Sequence, residues 1–185
     1  MVRSVSLRSE SAEPSDAALL ERLRDGDDHA FTMIYRRHSR VVAGRIYRLL
    51  GDDEALDDLV QETFIHGLAG LDGLKEANAL RGWLLTIAVR RVQRHLGRRY
   101  RQRTIAEAVR SSAPRVGDAR RQDEVHGLYR SLAKLPAKLR LPWLLHRVEG
   151  ETLPAVAEAC SCSLTSSKRY IAEADRRLRR MGHET

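Results

Sequence analysis

The chain has 185 residues, of which 42% are hydrophobic but only 5% aromatic, and 33 Lys and Arg outnumber 25 Asp and Glu to give a formal net charge of +8. Such a length holds one ordinary domain or two small ones, and the scarcity of aromatic side chains excludes a typical β-sandwich in favour of Leu/Ala/Val-cored helices. The basic excess points to a polyanionic partner, nucleic acid first. No apolar run approaches the ~20 residues of a spanning helix and MVRSVSLRSESAEPSD lacks the block of a secretory signal, so membrane insertion is excluded and the cytoplasm expected.

Residues 1–15 are polar and Ser-rich, with Pro14, and are read as a disordered tail. A first helix begins around Leu19, Leu20 and Leu23 and breaks at Asp25-Gly26-Asp27. Phe31, Ile34, Tyr35, His38, Val41, Val42, Arg45, Ile46 and Leu49 then recur at helical spacing, predicting a long amphipathic helix that stops at Gly51-Asp52. The next helix carries DDLVQETF, with Leu56, Leu59, Val60, Thr63 and Phe64 as its buried stripe and Asp57, Asp58, Gln61 and Glu62 on the other side. Between Gly51 and Leu74 there is no Lys or Arg, so no local partner neutralises these acids. Asp52, Asp53 and Glu54 at the helix start are explained by the macrodipole; Glu62 lies too far along for that.

After a glycine-spaced loop comes WLLTIAVRRVQRHLGRRYRQR, whose second half holds Arg90, Arg91, Arg94, Arg98, Arg99, Arg101 and Arg103 without one acid. A purely structural helix mixes signs; this one is suited to phosphates. Residues 104–122 read as a linker holding at most one short helix and divide the chain into units 16–103 and 123–182. In the second unit a helix runs to Pro136 and another, KLRLPWLLHRVEG, to Gly150. LPAVAEAC and LTSSKRYIAEADRRLRR follow, capped by Thr152 and Ser163 and separated by a short turn, which describes a helix-turn-helix. The fold class expected is all-α, two small helical domains joined by a flexible linker.

No nucleophile elbow, phosphate loop or metal-ligand pair is present, which argues against an enzyme and against any cofactor. Cys160 and Cys162 leave a zinc site short of ligands, with His146 and His183 off ligand spacing, so Cys160 reads as a small core residue.

The collinear order of these parts resembles the small bacterial RNA polymerase sigma subunits of the extracytoplasmic-function group. DDLVQETF looks like that family's D-L-V-Q-E-x-F signature, RGWLLTIA like its R-G-W-L-x-x-I-A signature, and the helix-turn-helix like the one that reads the minus-thirty-five element. The resemblance implies polymerase contacts from Asp57, Asp58, Leu59, Gln61 and Glu62, with Leu59 and Phe64 holding the helix in place. It implies minus-ten contacts from Arg81, Arg90, Arg94, Arg98, Arg99 and Arg101, and leaves Trp83 in the core. It implies major-groove contacts from Thr165, Ser166, Lys168 and Arg169 and phosphate contacts from Arg176 and Arg177. The implied partners are the clamp of core polymerase, promoter DNA, and an anti-sigma factor, in many relatives membrane-anchored.

The chain departs from the family pattern at Arg90 and Arg94, where Asn and Asp are usual, at Ser161 for Gly, at Ser167 for a buried Val, and at Asp175 for Arg. Two other readings therefore stay open: a stand-alone helix-turn-helix regulator, and a degenerate sigma-like protein that binds polymerase without opening promoters.

Overall fold

In the computed structural model, which describes residues 13–74, 76–109 and 124–183, every regular element is helical. The helices are α1 (Asp16–Arg24), α2 (Asp28–Leu50), α3 (Leu56–Ala69), α4 (Leu80–Val109), α5 (Glu124–Leu132), α6 (Ala137–Trp143), α7 (Leu153–Ala159) and α8 (Leu164–Arg180). The all-α expectation is met. Four starts follow from side-chain caps that satisfy orphan amides: Ser15 for α1, Asp27 for α2, Thr152 for α7 and Ser163 for α8.

Helices α1 to α4 pack around Leu19, Leu20, Ile46, Leu59, Phe64, Leu84 and Val92. Asp16 ties α1 to α2, receiving Arg37 at 2.6 Å and meeting the buried His38 ring nitrogen at 2.9 Å. Structure thus begins inside the segment read as a tail, since the Pro14 carbonyl also accepts from Arg37 at 2.8 Å and Ser15 caps α1; residues 1–12 lie outside the described residues.

Helices α6 to α8 enclose Leu141, Leu144, Leu145, Val156, Ile171 and Leu178. Pro142 sits inside α6, and the chain continues past Trp143 as a π-turn over Leu144–Val148, where Glu149 N–H reaches the Leu144 carbonyl at 3.0 Å. A missing amide and a widened turn interrupt the regular helix here, and α6 packs against α8.

Two departures from the sequence reading matter for the site. Helix α4 does not end at Arg103 but runs to Val109, so residues 104–109 of the supposed linker are helical, and 110–123 lie outside the described residues. The two helical groups are also in contact, α4 packing against α6 and α7, and their buried side chains join into one cluster.

Candidate nucleic-acid interface and acidic helix face

Helix α3 has no side-chain cap, since Ala55 stands at its N-cap position; its first-turn acids are Asp57 and Asp58. The macrodipole account given to Asp52, Asp53 and Glu54 therefore belongs instead to these two, because the helix begins at Leu56. Asp52 and Glu54 have another partner: the Arg99 guanidinium reaches them at 3.5 and 3.2 Å from α4. The acids are thus neutralised in part by a residue remote in sequence. Glu62 is half-buried and close enough to Arg91 to favour the charged guanidinium, although burial, the larger effect, pulls Arg91 below its ordinary pKa.

Asp57, Asp58 and Gln61 remain exposed, and neither aspartate makes an ion pair among the described residues. Leu59, placed among the polymerase contacts by the sequence reading, is 1% exposed and cannot meet a partner; it holds the helix from within. Beside the acids runs a shallow groove of roughly 510 Å³ between α2 and α3, lined by Phe31, Tyr35, Val60, Phe64 and Ile65, with Asp57 and Gln61 on its rim. The Tyr35 and Phe64 rings are 4.7 Å apart, and Ile65 is 55% exposed. The sequence reading assigned Tyr35 to the buried stripe and passed over Ile65. The available signal was the position of Ile65, next to Phe64 and outside the stripe.

Helix geometry sorts the arginines of α4. At about 100° per residue, Arg94, Arg98 and Arg101 fall within roughly a quarter-turn of Arg90. All four are exposed. Arg81 and Arg99 each lie nine residues from Arg90, half a turn round, so both leave the proposed minus-ten set: Arg99 is occupied by Asp52 and Glu54, and Arg81 stands alone at the helix start. Trp83 is half-buried, its ring 3.6 Å from where a Cβ on Gly67 or Gly70 would stand, as its core assignment expects.

The Arg90, Arg94, Arg98 and Arg101 stripe faces a cleft of roughly 730 Å³ whose opposite wall is Pro136, Ala137, Lys138 and Ser161 from the second group. No acid lines it. Lys138, unnoticed in the sequence, adds a cation from the far wall.

The helix-turn-helix is formed by α7 and α8. Ser161 adopts φ 52°, its N–H bonds to the Glu158 carbonyl at 3.0 Å, and Cys162 N–H bonds to Ala157 at 2.9 Å. This pair of bonds is a Schellman ending with serine where glycine is easier. Cys160 is buried and its thiol is pushed up to about 12 by burial, the behaviour of a core residue. On α8, Thr165, Lys168 and Arg169 are exposed at the first turns, while Ser166 is half-buried with its hydroxyl accepting from the cap Ser163 at 2.9 Å. Leu164, 43% exposed beside Thr165, offers an apolar contact that sequence reading missed. Arg176 and Arg177 are exposed but both paired with Glu173, whose carboxyl they hold below its usual pKa.

Two departures acquire physical explanations. Ser167 is fully buried and donates to the Leu164 carbonyl at 2.8 Å, so its hydroxyl is satisfied. Asp175 is buried, accepting from Trp143 Nε1 at 2.6 Å and pairing with Arg147 at 2.9 Å. It fastens α8 to α6.

Residues 34–102, from the middle of α2 through the basic stripe, match the family model for sigma-70 region 2. The RNA polymerase sigma-H factor of Pseudomonas aeruginosa is 25% identical over 175 residues, spanning 88% of this chain and 91% of the relative. The ECF RNA polymerase sigma-E factor of Escherichia coli K12 is 26% identical over 178 residues, spanning 89% and 92%. Two solved structures share the fold. The sigma factor RpoE in complex with the anti-sigma factor NepR from Bartonella quintana gives a TM-score of 0.57 at 20% identity, covering 82% of this chain and 95% of its own. CnrH in complex with the cytosolic domain of CnrY gives 0.56 at 23% identity, covering 91% and 97%. Residues 34–102 thus carry a sigma-70 region 2, and over most of its length the chain is similar to extracytoplasmic-function sigma factors.

Proposed function

We propose that the protein directs core RNA polymerase to promoters through three separate surfaces. The outer face of α3, with Asp57, Asp58, Gln61 and the rim of Glu62, meets the polymerase clamp; the Arg90, Arg94, Arg98 and Arg101 stripe meets the minus-ten element; the first turns of α8 meet the minus-thirty-five element. The observation that carries this reading is the sorting of charge by helix face, with unpaired acids outward on α3 and an acid-free arginine stripe on α4. Opposite signs on opposite surfaces give each partner its own docking site and register. A stand-alone regulator would leave the first of these surfaces without a use.

Such a protein acts by binding and positioning; the sigma family is non-catalytic, and we extend that to this chain. Its work belongs in the cytoplasm, where polymerase is; among the described residues no helix is long and apolar enough to cross a membrane. The structures of similar fold were solved with anti-sigma partners, which supports an inhibitory protein partner here as well.

The test is transcription from a genomic promoter library by core polymerase with the purified protein. Promoter-specific transcripts are expected, and Asp58→Arg/Glu62→Arg should abolish them while the helical circular dichroism of the protein is unchanged. A protein that binds DNA as a dimer and has no affinity for core polymerase would refute the assignment.

A further inference from the structure

The cleft beside α4 is lined by one sign of charge. Arg90, Arg94, Arg98 and Arg101 stand on one wall and Lys138 on the other, and none of the five forms an ion pair among the described residues. A cleft of this kind focuses its field and concentrates counter-ions. The crowding registers at the half-buried Arg91 beside the stripe, whose guanidinium is held below its ordinary pKa first by burial and then by repulsion from Arg94. Its volume of roughly 730 Å³ falls within the ~300–1,000 Å³ of small-molecule sites. Two residues lining it are poor local choices. Gly97 stands inside α4, where glycine weakens a helix, with Arg94 one turn before it and Arg101 one turn after. Apart from its chain neighbours and the helix's own backbone, a Cβ there would meet only the flexible end of Arg101, at 3.9 Å, so no packing neighbour calls for the missing side chain. Ser161 holds φ 52°, and its exposed hydroxyl has no partner among the described residues. A ligand accounts for both: the absent side chain at Gly97 opens the floor of the cleft, and the hydroxyl of Ser161 supplies a donor from the far wall.

We propose that this cleft is a binding site for a short polyphosphate chain, with Arg94, Arg98 and Arg101 gripping its oxygens over Gly97, Lys138 facing them and Ser161 donating from the far wall. Guanidinium forks match phosphate oxygens in charge and in geometry. A single phosphate carries about −1.5 to −2 and leaves most of the five cations unanswered. Arg94 and Arg101 are seven residues apart, about 10 Å along the helix axis, which is the reach of a chain of phosphates and not of one. The same stripe is assigned above to the minus-ten element, so the anion and DNA compete for it, but the site itself does not depend on that assignment.

Isothermal titration calorimetry of the full chain with sodium tripolyphosphate, at an ionic strength of about 0.15 M, tests the site. One anion should bind per chain. Lys138→Glu and Gly97→Leu, neither of them a promoter contact, should each weaken binding about tenfold with helical circular dichroism unchanged, the size expected for one charge-assisted bond. Ser161→Gly should weaken it about fivefold, the worth of one neutral hydrogen bond. Arg36→Glu, at an exposed arginine of α2 outside the cleft, makes the same change in net charge and should stay within about twofold, since screening leaves little attraction at a distance. Adenosine and guanosine triphosphates identify the source of the phosphates: affinities no tighter than tripolyphosphate assign the inorganic chain, and affinities about tenfold tighter assign a nucleotide whose base adds contacts, both of which uphold the site. Absence of binding, more than one anion per chain, or equal losses in Lys138→Glu and Arg36→Glu would overturn it, the last two by showing a diffuse attraction to net charge. Neither polymerase nor promoter enters the assay, so its outcome is separate from that of the promoter-directing function.

Discussion

Removing the Asp175 carboxylate should destabilise the second helical group by about 3 kcal/mol, and the structure says where that figure comes from. Trp143 and Asp175 are 4% and 6% exposed, and the indole N–H has this carboxylate as its partner at 2.6 Å. In Asp175→Ala the charge-assisted bond is lost and a buried donor is left unsatisfied, together about 2–3 kcal/mol. Arg147 adds little, because its side chain is 47% exposed and such a pair is worth at most about 1 kcal/mol. Asp175→Asn keeps the volume and an acceptor for the indole, so its cost should be about half. Asp175→Arg, the residue that the family resemblance implies here, would bury a guanidinium against Arg147 and should prevent the group from folding.

The assay is urea denaturation followed by far-ultraviolet circular dichroism, run as a double-mutant cycle with Trp143→Phe. Since the two side chains touch, the cycle should return a coupling of about 1.5 kcal/mol or more. Additive effects, or an Asp175→Ala cost below about 0.5 kcal/mol, would show that the bond does not fasten α8 and that this account of the departure is wrong.

Alanine at Arg90, Arg94 or Arg98 should each reduce the slope of log affinity against log salt for promoter DNA by about 0.7–0.9, whereas Arg81→Ala and Arg99→Ala should leave it unchanged; anisotropy titrations across a salt series read both. Ser161→Gly should raise the melting midpoint, because relief of a left-handed serine, about 1–2 kcal/mol, exceeds the ~0.5–1 kcal/mol of backbone freedom that glycine adds to the unfolded chain. His95 supplies a pH dependence: burial first, then Arg99 and Arg98, hold its imidazole below the ordinary 6.5, against weaker opposite pulls from Asp52 and Glu54. Its contribution to stability is therefore complete above about 6.5, where the unfolded imidazole is neutral too, and is lost as the pH falls toward the folded value. Denaturation midpoints measured from pH 7.5 to 5 should show this slope in the wild type and a shallower one in His95→Gln.

Local signals carried most of the fold. Gly26 and Gly51 both adopt positive φ at the helix ends where the sequence reading placed stops, and Thr152 and Ser163 cap the helices assigned to them. These events involve residues within four positions of each other, so spacing reveals them. Arg99 was legible as well: counting 100° per residue puts it opposite Arg90, although grouping arginines by nearness in the chain hid this. The extension of α4 was obscured because residues 104–109 are fair helix formers lacking a stripe. The ion pairs between α2 and the second group were illegible for a different reason. Arg45 and Glu151 are separated by 106 positions, and an arginine that grips a carboxylate looks in sequence like one that awaits a phosphate.

The acids between Asp52 and Glu62 illustrate how that ambiguity resolves. In a basic chain these acids looked uniformly unpaired, but the fold divides them: Asp52 and Glu54 go to Arg99, Glu62 sits beside Arg91, and Asp57 and Asp58 stay exposed, Asp57 on the rim of an apolar groove. The last two also stabilise the start of α3, so reversing Asp58 costs about 0.3–1 kcal/mol of helix stability whether or not a partner exists. Losing an interfacial charge from a docked complex costs about 2–5 kcal/mol. The two effects differ enough in size to be separated by measuring stability and polymerase affinity on the same variant. Asp58→Arg is the cleaner probe of the pair, because Glu62→Arg would also set a new cation beside Arg91 and disturb the packing of α3 on α4 before any partner arrives.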